Sequence, residues 1–382
     1  MRIGMFTDTY SPQINGVVTS INLYITELEK MGHEVFVFAP YVDDAKKKKN
    51  VFYFKAFKYP MHREHLLAYS LSGHWKKFKD IKLDIIHSHT PFSLGLLAIF
   101  LAKQYKIPIV HTYHTLFTEY VHYIPFGSII GEWFSISASR KYCQKCDLVL
   151  VPSDSIRREL QRWGVMQEID VLPTGFDENF HSTVTAEAFK KKQKIPSDVD
   201  VILYAGRIGR EKNIEFLLRV YREVLKVRQH VLFIILGDGP HRKHLEKYAK
   251  DLGVYEKMRF TGYIHDKKML ANWLHAARVF VFSSISETQG LVILEAMAVG
   301  TPVVAVDVMG VSDIIHDNIG GYASKQEVSE FSLKLMRILS SKTFRDKKSK
   351  EAKEKAEQYK MDHLAQKLVK NYQRLIDVAT KV

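Results

Sequence analysis

The stretch from Val279 to Val306 constrains what this chain can fold into more than any other. Val279-Phe280-Val281-Phe282 is a short β-branched and aromatic run, the pattern of a strand buried on both faces. A polar loop carrying Glu287 follows. A helix is predicted to open near Leu291 and to close at Gly300 and Pro302, because proline cannot continue a helix. Pro302 to Val306 is the next apolar strand. Two strands joined through a helical crossover lie parallel, so the unit is βαβ and the class α/β. Glu287 then sits on the loop at a strand's carboxyl end, the rim where open parallel sheets bind ligands. Glu295 falls about one turn into the helix. Two carboxylates at this spacing, with Gly290 baring backbone N–H groups between them, suit a polyhydroxyl ligand that also carries phosphate. The spacing alone fits equally well a crossover whose two glutamates are merely solvated.

The same alternation recurs along all 382 residues, a length that favours two domains. One series of strands begins at Arg2–Thr7 and continues through His33–Ala39, Asp84–His89, Ile109–Thr115, Asp147–Val151 and Ile169–Leu172. Pro173-Thr-Gly175-Phe-Asp177 breaks it, and a polar, Lys-rich segment runs to Pro196. The division predicted is a domain over 1–172, a linker over 173–195 and a second domain over 196–360. The second series opens with Val201–Ala205 and continues through Val231–Leu236 and Arg259–Gly262. Gly16, Gly206, Gly237 and Gly239 each follow a strand, where glycine permits either a tight turn or close approach to a ligand. His87, His89, His111 and His114 close two strands of the first series. Their spacing matches no familiar zinc pattern, and no metal site is expected.

Glu287-x7-Glu295, followed by Ala-Met-Ala-x-Gly-Thr-Pro-Val-Val, resembles the glutamate motif of the family 4 retaining glycosyltransferases. That family has the GT-B fold, so the resemblance implies two doubly wound Rossmann-like domains facing a central cleft. It also implies a nucleotide-sugar donor as substrate, no cofactor and retention of the anomeric configuration. Residue by residue, it places Gly16 beside the donor diphosphate and His114 against the donor sugar. Gly206-Arg207-x-x-x-Glu-Lys212 resembles the family's diphosphate site, and Gly237-Asp-Gly239-Pro240 its turn beside the donor. Tyr263 and Ile264 fall where the base is held. Glu287 would hold a sugar hydroxyl, the backbone at Gly290, Leu291 and Val292 the phosphates, and Glu295 the ribose. His114, Glu287, Arg207 and Lys212 are then the catalytic candidates. Asp198-Val-Asp200 has the DxD form of metal-dependent glycosyltransferases, but it precedes a strand and so lies at the wrong rim.

Thr7-Asp-Thr-Tyr-Ser-Pro-Gln-Ile-Asn-Gly16-Val-Val and His114-Thr-Leu-Phe-Thr-Glu-Tyr-Val-His122 are similar to the lipid-modifying branch, the diacylglycerol glucosyltransferases. This implies transfer of a hexose, glucose from UDP-glucose, onto a membrane lipid such as 1,2-diacylglycerol. UDP-galactose or GDP-mannose as donor, and a phosphoinositol lipid, polyprenol or soluble sugar as acceptor, remain open. In the family the last helix, here residues 361–382, returns to the first domain.

Charge bears on the partner. The chain carries a formal +14, which suits nucleic acid, an acidic membrane or a nucleotide-sugar. No helix-turn-helix, RNP or zinc-finger pattern accompanies it, so nucleic acid is not expected. Between Lys46 and Lys82 eleven Lys or Arg face only two acidic residues, while the rest of the first domain is net acidic. Aromatic and leucine residues thread this block, so Lys76, Lys77 and Lys79 are expected to meet an anionic membrane surface. Trp75, Phe78, Leu66 and Leu67 are expected to enter its headgroup layer. No run of eighteen apolar residues exists to span a bilayer, and the chain opens directly on a strand, leaving no room for a signal peptide. The expected location is the cytoplasmic face of the cell membrane, with Cys143 and Cys146 as free thiols.

Overall fold

The computed structural model describes every residue except 14, 43–48, 60–61, 69–74, 117–127, 286 and 382. The chain forms two compact units, Met1–Gly175 with Met361–Val382, and Phe176–Lys360.

The first unit contains β1 (Arg2–Phe6), β2 (Glu34–Pro40), β3 (Val51–Phe54), β4 (Ala56–Tyr59), β5 (His62–Ala68), β6 (Ile85–Ser88), β7 (Ile109–Thr112), β8 (Leu148–Val151) and β9 (Ile169–Val171). Seven of these form a parallel sheet in the order β3-β2-β1-β6-β7-β8-β9, and β4 pairs antiparallel with β5. β6, β7 and β8 are buried along their whole length, which is why they read as unbroken apolar runs. On one face the helices Gly16–Lys30 and Met361–Ala379 pack through Ile21, Tyr24, Leu28, Leu364, Leu368 and Tyr372. The C-terminal helix thus belongs to this unit, tied also by Lys367 Nζ to Asp170 at 2.8 Å. On the other face the helix Ser93–Tyr105 buries Leu94, Leu97 and Leu101.

That second face holds a correction. Phe78, expected in a membrane headgroup layer, is 5% exposed and packs its ring 5.8 Å from Phe38 and 5.4 Å from Tyr105. Leu66 is buried as well. The short helix Trp75–Ile81 turns Phe78 and Ile81 into the core and leaves Lys79 exposed. Full burial of such an aromatic contributes about 1.5–3 kcal/mol. The side chains of Trp75, Lys76 and Lys77 lie outside the described residues.

The second unit contains β10 (Asp200–Ala205), β11 (Val231–Leu236), β12 (Met258–Gly262), β13 (Val279–Phe282), β14 (Val303–Val306) and β15 (Gly321–Ser324). They form a parallel sheet in the order β12-β11-β10-β13-β14-β15. The order reverses between β10 and β13, which makes their carboxyl ends the topological switch point. Asp198 and Asp200 lie at the opposite rim, where they bind His230 and Arg228 at 2.7 and 2.5 Å.

From Phe176 onward the segment expected as a linker is part of this unit. Phe176, Phe180, Phe189 and Ile195 are buried in its core, and Asn272 Oδ1 accepts from Ser182 Oγ and Thr183 N, each at 2.9 Å. Lys190, Lys191 and Lys192, which made this segment look like a tether, are the last turn of the helix Ala186–Lys192, whose buried residue is Phe189.

Candidate functional site

At the switch point of the second unit, three glycines let backbones meet closely. Gly206 and Gly237 adopt φ of +152° and +146° after β10 and β11. A Cβ on Gly237 would stand 1.9 Å from the Gly206 carbonyl oxygen, and one on Gly239 would stand 2.4 Å from that of Ile208. Only glycine fits either position, so the close approach of the two turns is sufficient reason for both residues. Arg207 is exposed at this rim.

Lys212 closes a short 3-10 turn, Arg210–Lys212, and Asn213 in the left-handed region redirects the chain into the helix Ile214–Val227. Lys212 Nζ lies 2.5 Å from Glu287 Oε1, with both side chains about one-fifth exposed. The loop after β13 is fastened to the same turn, because Ser283 Oγ donates to Lys212 O at 2.8 Å and to Asn213 O at 3.0 Å. The turn that carries Lys212 is thus held by one hydroxyl, 70 residues from Asn213, on the loop that carries Glu287. Ser283 and Ser284 were not singled out in the sequence, nor was Gly310. A Cβ on Gly310 would strike the Thr288 carbonyl carbon at 2.2 Å, and its N–H donates to Glu287 O at 3.2 Å. No periodicity or motif signals such a contact.

Gly290, at φ +82°, starts the helix Leu291–Ala298, and no side chain caps it. Leu291 and Val292 are half-buried in its first turn, where backbone N–H groups lack intrahelical partners. Glu295 is half-buried, and burial pushes its carboxyl up to about 7, against the lowering effect of Lys267. No hydrogen bond among the described residues reaches its carboxylate. Tyr263, just past β12, is 52% exposed, and Ile264 packs against the core.

The corresponding rim of the first unit lies at the ends of β1, β6 and β7. Asn15 caps the helix Gly16–Lys30 by accepting from Val18 N at 3.0 Å, and Gly16 is exposed. Buried Asp8 accepts from Thr90 Oγ1 at 2.6 Å, from Leu94 N at 3.0 Å and from Ser93 Oγ. Burial raises its carboxyl even so. The four histidines form a network. His87 meets Tyr372 Oη at 2.5 Å and Thr112 Oγ1 at 2.6 Å, and His111 Nδ1 meets Ser88 Oγ at 2.8 Å. His89 Nδ1 meets His114 Nε2 at 2.9 Å. Burial drives all four toward the neutral imidazole, His114 down to about 4 and His111 to about 3. His89 is 3% exposed, and its Nε2 has no partner among the described residues. Cys143 and Cys146 are free and buried, and burial raises both thiols.

Each unit therefore gathers its predicted residues at the carboxyl rim of its own sheet. Gly206, Arg207, Lys212, Gly237, Gly239, Tyr263, Glu287 and Gly290 cluster in the second, and Gly16 and His114 stand in the first.

Comparison with known proteins agrees with this geometry. The model described as Glycosyltransferase Family 4 matches residues 14–180, and that described as Glycosyl transferases group 1 matches residues 185–358. An alpha-monoglucosyldiacylglycerol synthase of Streptococcus pneumoniae is 37% identical over 329 residues, covering 84% of this chain and 74% of that protein. The protein of the same name from Acholeplasma laidlawii is 30% identical, covering 80% of each. Among solved structures, a sucrose-phosphate synthase of Thermosynechococcus elongatus superposes with a TM-score of 0.80 at 20% identity over 99% of each chain. Anabaena HepE, solved with UDP, does so with 0.80 at 17% identity over 98% of this chain and all of that one. These two likenesses establish the fold, which is GT-B.

Proposed function

The chain belongs to the family 4 glycosyltransferases, and from that membership we propose that it moves glucose from UDP-glucose onto diacylglycerol with retention of configuration. The observation that carries the reading is the Lys212–Glu287 pair at the switch point of the nucleotide-binding sheet type. It puts a cation for phosphate and a carboxylate for a sugar hydroxyl at one place. The diacylglycerol acceptor is supported by the names of the two synthases, which match over most of the chain.

In this reading Arg207, Lys212 and the uncapped N–H groups after Gly290 stabilise the charge that grows on the leaving diphosphate. Such preorganised electrostatics is usually the largest catalytic contribution. Glu295 accepts from the ribose hydroxyls, Tyr263 and Ile264 flank the base, and Gly16 lies beside the diphosphate. Glu287 orients a sugar hydroxyl. His114, held neutral and fixed through His89, accepts or donates one hydrogen bond to another. A neutral imidazole is the suitable form there, since a cation would compete for the leaving group. No residue is assigned as a covalent nucleophile, so attack and departure occur on the same face of the sugar.

The acceptor is a lipid, so the enzyme would work at a membrane surface. No helix among the described residues is long and apolar enough to cross one. The Lys46–Lys82 block supplies the attraction for an anionic surface, with Lys79 and Lys82 exposed. Each such charge contributes about 1 kcal/mol near an acidic leaflet.

The test is transfer of labelled sugar from UDP-glucose, UDP-galactose or GDP-mannose to diacylglycerol, presented in vesicles of rising anionic lipid content. Glucosyl-lipid from UDP-glucose alone, formed faster on acidic vesicles and slower in high salt, is the expected result. Transfer only to a soluble sugar would remove the lipid assignment.

A further inference from the structure

The second unit carries a side-chain cluster that the donor site does not use. Glu215 is the second residue of the helix Ile214–Val227. His241 immediately precedes the helix Arg242–Asp251, and His244 lies in its first turn. Spacing of three on a helix puts both imidazoles on one side, and their rings stack with centroids 4.4 Å apart. Both point Nε2 at the same atom: His241 Nε2 lies 2.8 Å from Glu215 Oε1 and His244 Nε2 lies 3.1 Å from it.

We propose that Glu215, His241 and His244 bind a late first-row divalent cation, with Zn²⁺ as the best fit, and that this ion fastens the helix carrying Glu215 to the Gly237–Pro240 turn. Metal–ligand bonds of about 2.0–2.2 Å in a tetrahedron separate neighbouring ligand atoms by roughly 3.3–3.5 Å. The two nitrogen–oxygen separations, 2.8 and 3.1 Å, fall short of that by roughly 0.2–0.7 Å, within the reach of small side-chain rotations. Two imidazoles and one carboxylate are a donor set for zinc and its neighbours, whereas magnesium and calcium prefer oxygen alone. His241 and Glu215 are 14% and 25% exposed at the side chain while His244 is 58% exposed, so a water completes the shell from the His244 side.

The position gives the ion a structural consequence. Glu215 follows Lys212 by three residues, and His241 follows Gly239 by two. His241 N also donates to Ile208 O at 3.1 Å, joining its turn to the segment after β10. One ion would therefore hold both turns of the rim together without touching the donor. The inference goes beyond the proposed transfer reaction and does not depend on it, because its readout is metal binding.

The experiment uses the full chain, stripped with a chelator and titrated with Zn²⁺ against a chromophoric competitor, with Mg²⁺ as a separate titrant. One Zn²⁺ site per chain is expected, unaffected by excess Mg²⁺, together with a melting temperature that rises with Zn²⁺. His244→Ala, on the exposed side, should fold normally in the absence of metal. It should bind Zn²⁺ at least about tenfold more weakly and lose the thermal shift. Glu215→Gln should act in the same direction. Absence of Zn²⁺ binding in the wild type would overturn the proposal. So would unchanged affinity and thermal shift in both variants, which would place the ion elsewhere.

Discussion

The two units share a doubly wound parallel sheet and place their candidate residues at the same rim, yet they treat charge in opposite ways. The second keeps ionic groups there, Lys212 against Glu287 and the exposed Arg207. The first lines its rim with the buried imidazoles of His87, His89 and His111 and the half-buried one of His114, all driven neutral by desolvation, and with the hydroxyls of Ser88, Thr90 and Thr112. The difference teaches what each rim can do. An ion pair whose two side chains are each about one-fifth exposed keeps some hydration and can be redirected toward a phosphate. Imidazoles packed in this way lose their charge to desolvation and can only orient a partner by neutral hydrogen bonds.

The largest expected effect tests that contrast directly. Arg207→Ala should lower turnover by about 10²–10³, like loss of one oxyanion donor, with stability little changed because the side chain is exposed. Lys212→Ala should cost at least as much, since it also strands Glu287. His114→Ala should cost only the roughly 0.5–1.5 kcal/mol of a neutral hydrogen bond, about tenfold at most. Steady-state kinetics on the three variants separates them. Equal losses in turnover for His114 and Arg207 would break the comparison, and a change confined to the acceptor KM would remove Arg207 from the diphosphate.

A smaller effect concerns Glu295, a carboxylate of the second rim that burial drives toward its neutral form, as it does the histidines of the first. If it accepts from the ribose, Glu295→Ala should weaken UDP binding by about 1.5–3 kcal/mol, the range of hydrogen bonds to charged groups. Calorimetric titration with UDP measures this, and unchanged affinity would take the ribose role away.

How far the sequence led depended on range. Val279–Phe282 and Leu148–Val151 were readable as strands because a strand buried on both faces needs an unbroken apolar run, and Gly300 with Pro302 marked a helix end by local chemistry. Glu287 and Glu295 were found through a dense local motif. Contacts made only on folding left no such mark: Lys212 and Glu287 are 75 residues apart, and Glu215 and His241 are 26 apart. Amphipathic pieces were the other weakness. The helices Trp75–Ile81 and Ala186–Lys192 each show lysines beside a buried aromatic, Phe78 and Phe189. A pattern of that kind says that one face is apolar. It does not say whether that face meets a membrane, water-filled space or the core, and in both helices the core took it.

The finest test of the contrast is the pH dependence of stability, where the two rims carry opposite signs. The histidines have folded-state values below the unfolded 6.5, about 4 for His114 and about 3 for His111. Below pH 6.5 the unfolded chain binds protons that the folded unit refuses, so their contribution is complete above 6.5 and is lost as pH falls toward the folded values. Glu295 is the reverse. Its folded value of about 7 lies above the unfolded 4.5, so its contribution is complete below pH 4.5 and is lost as pH rises from 4.5 to 7. Each group contributes a slope of up to about 1.4 kcal/mol per pH unit in its own window. Between pH 4.5 and 6.5 the windows overlap and the slopes oppose. His111→Asn, which keeps an amide near Ser88, should make stability less sensitive to acid. Glu295→Gln should make it more sensitive, because a stabilising proton taken up on acidification is gone. Urea unfolding at a series of pH values reads both, and the decisive quantity is the change in slope, whatever either variant does to stability at pH 7. Slopes that moved in the same direction for both variants would mean that the two rims do not divide charge as described.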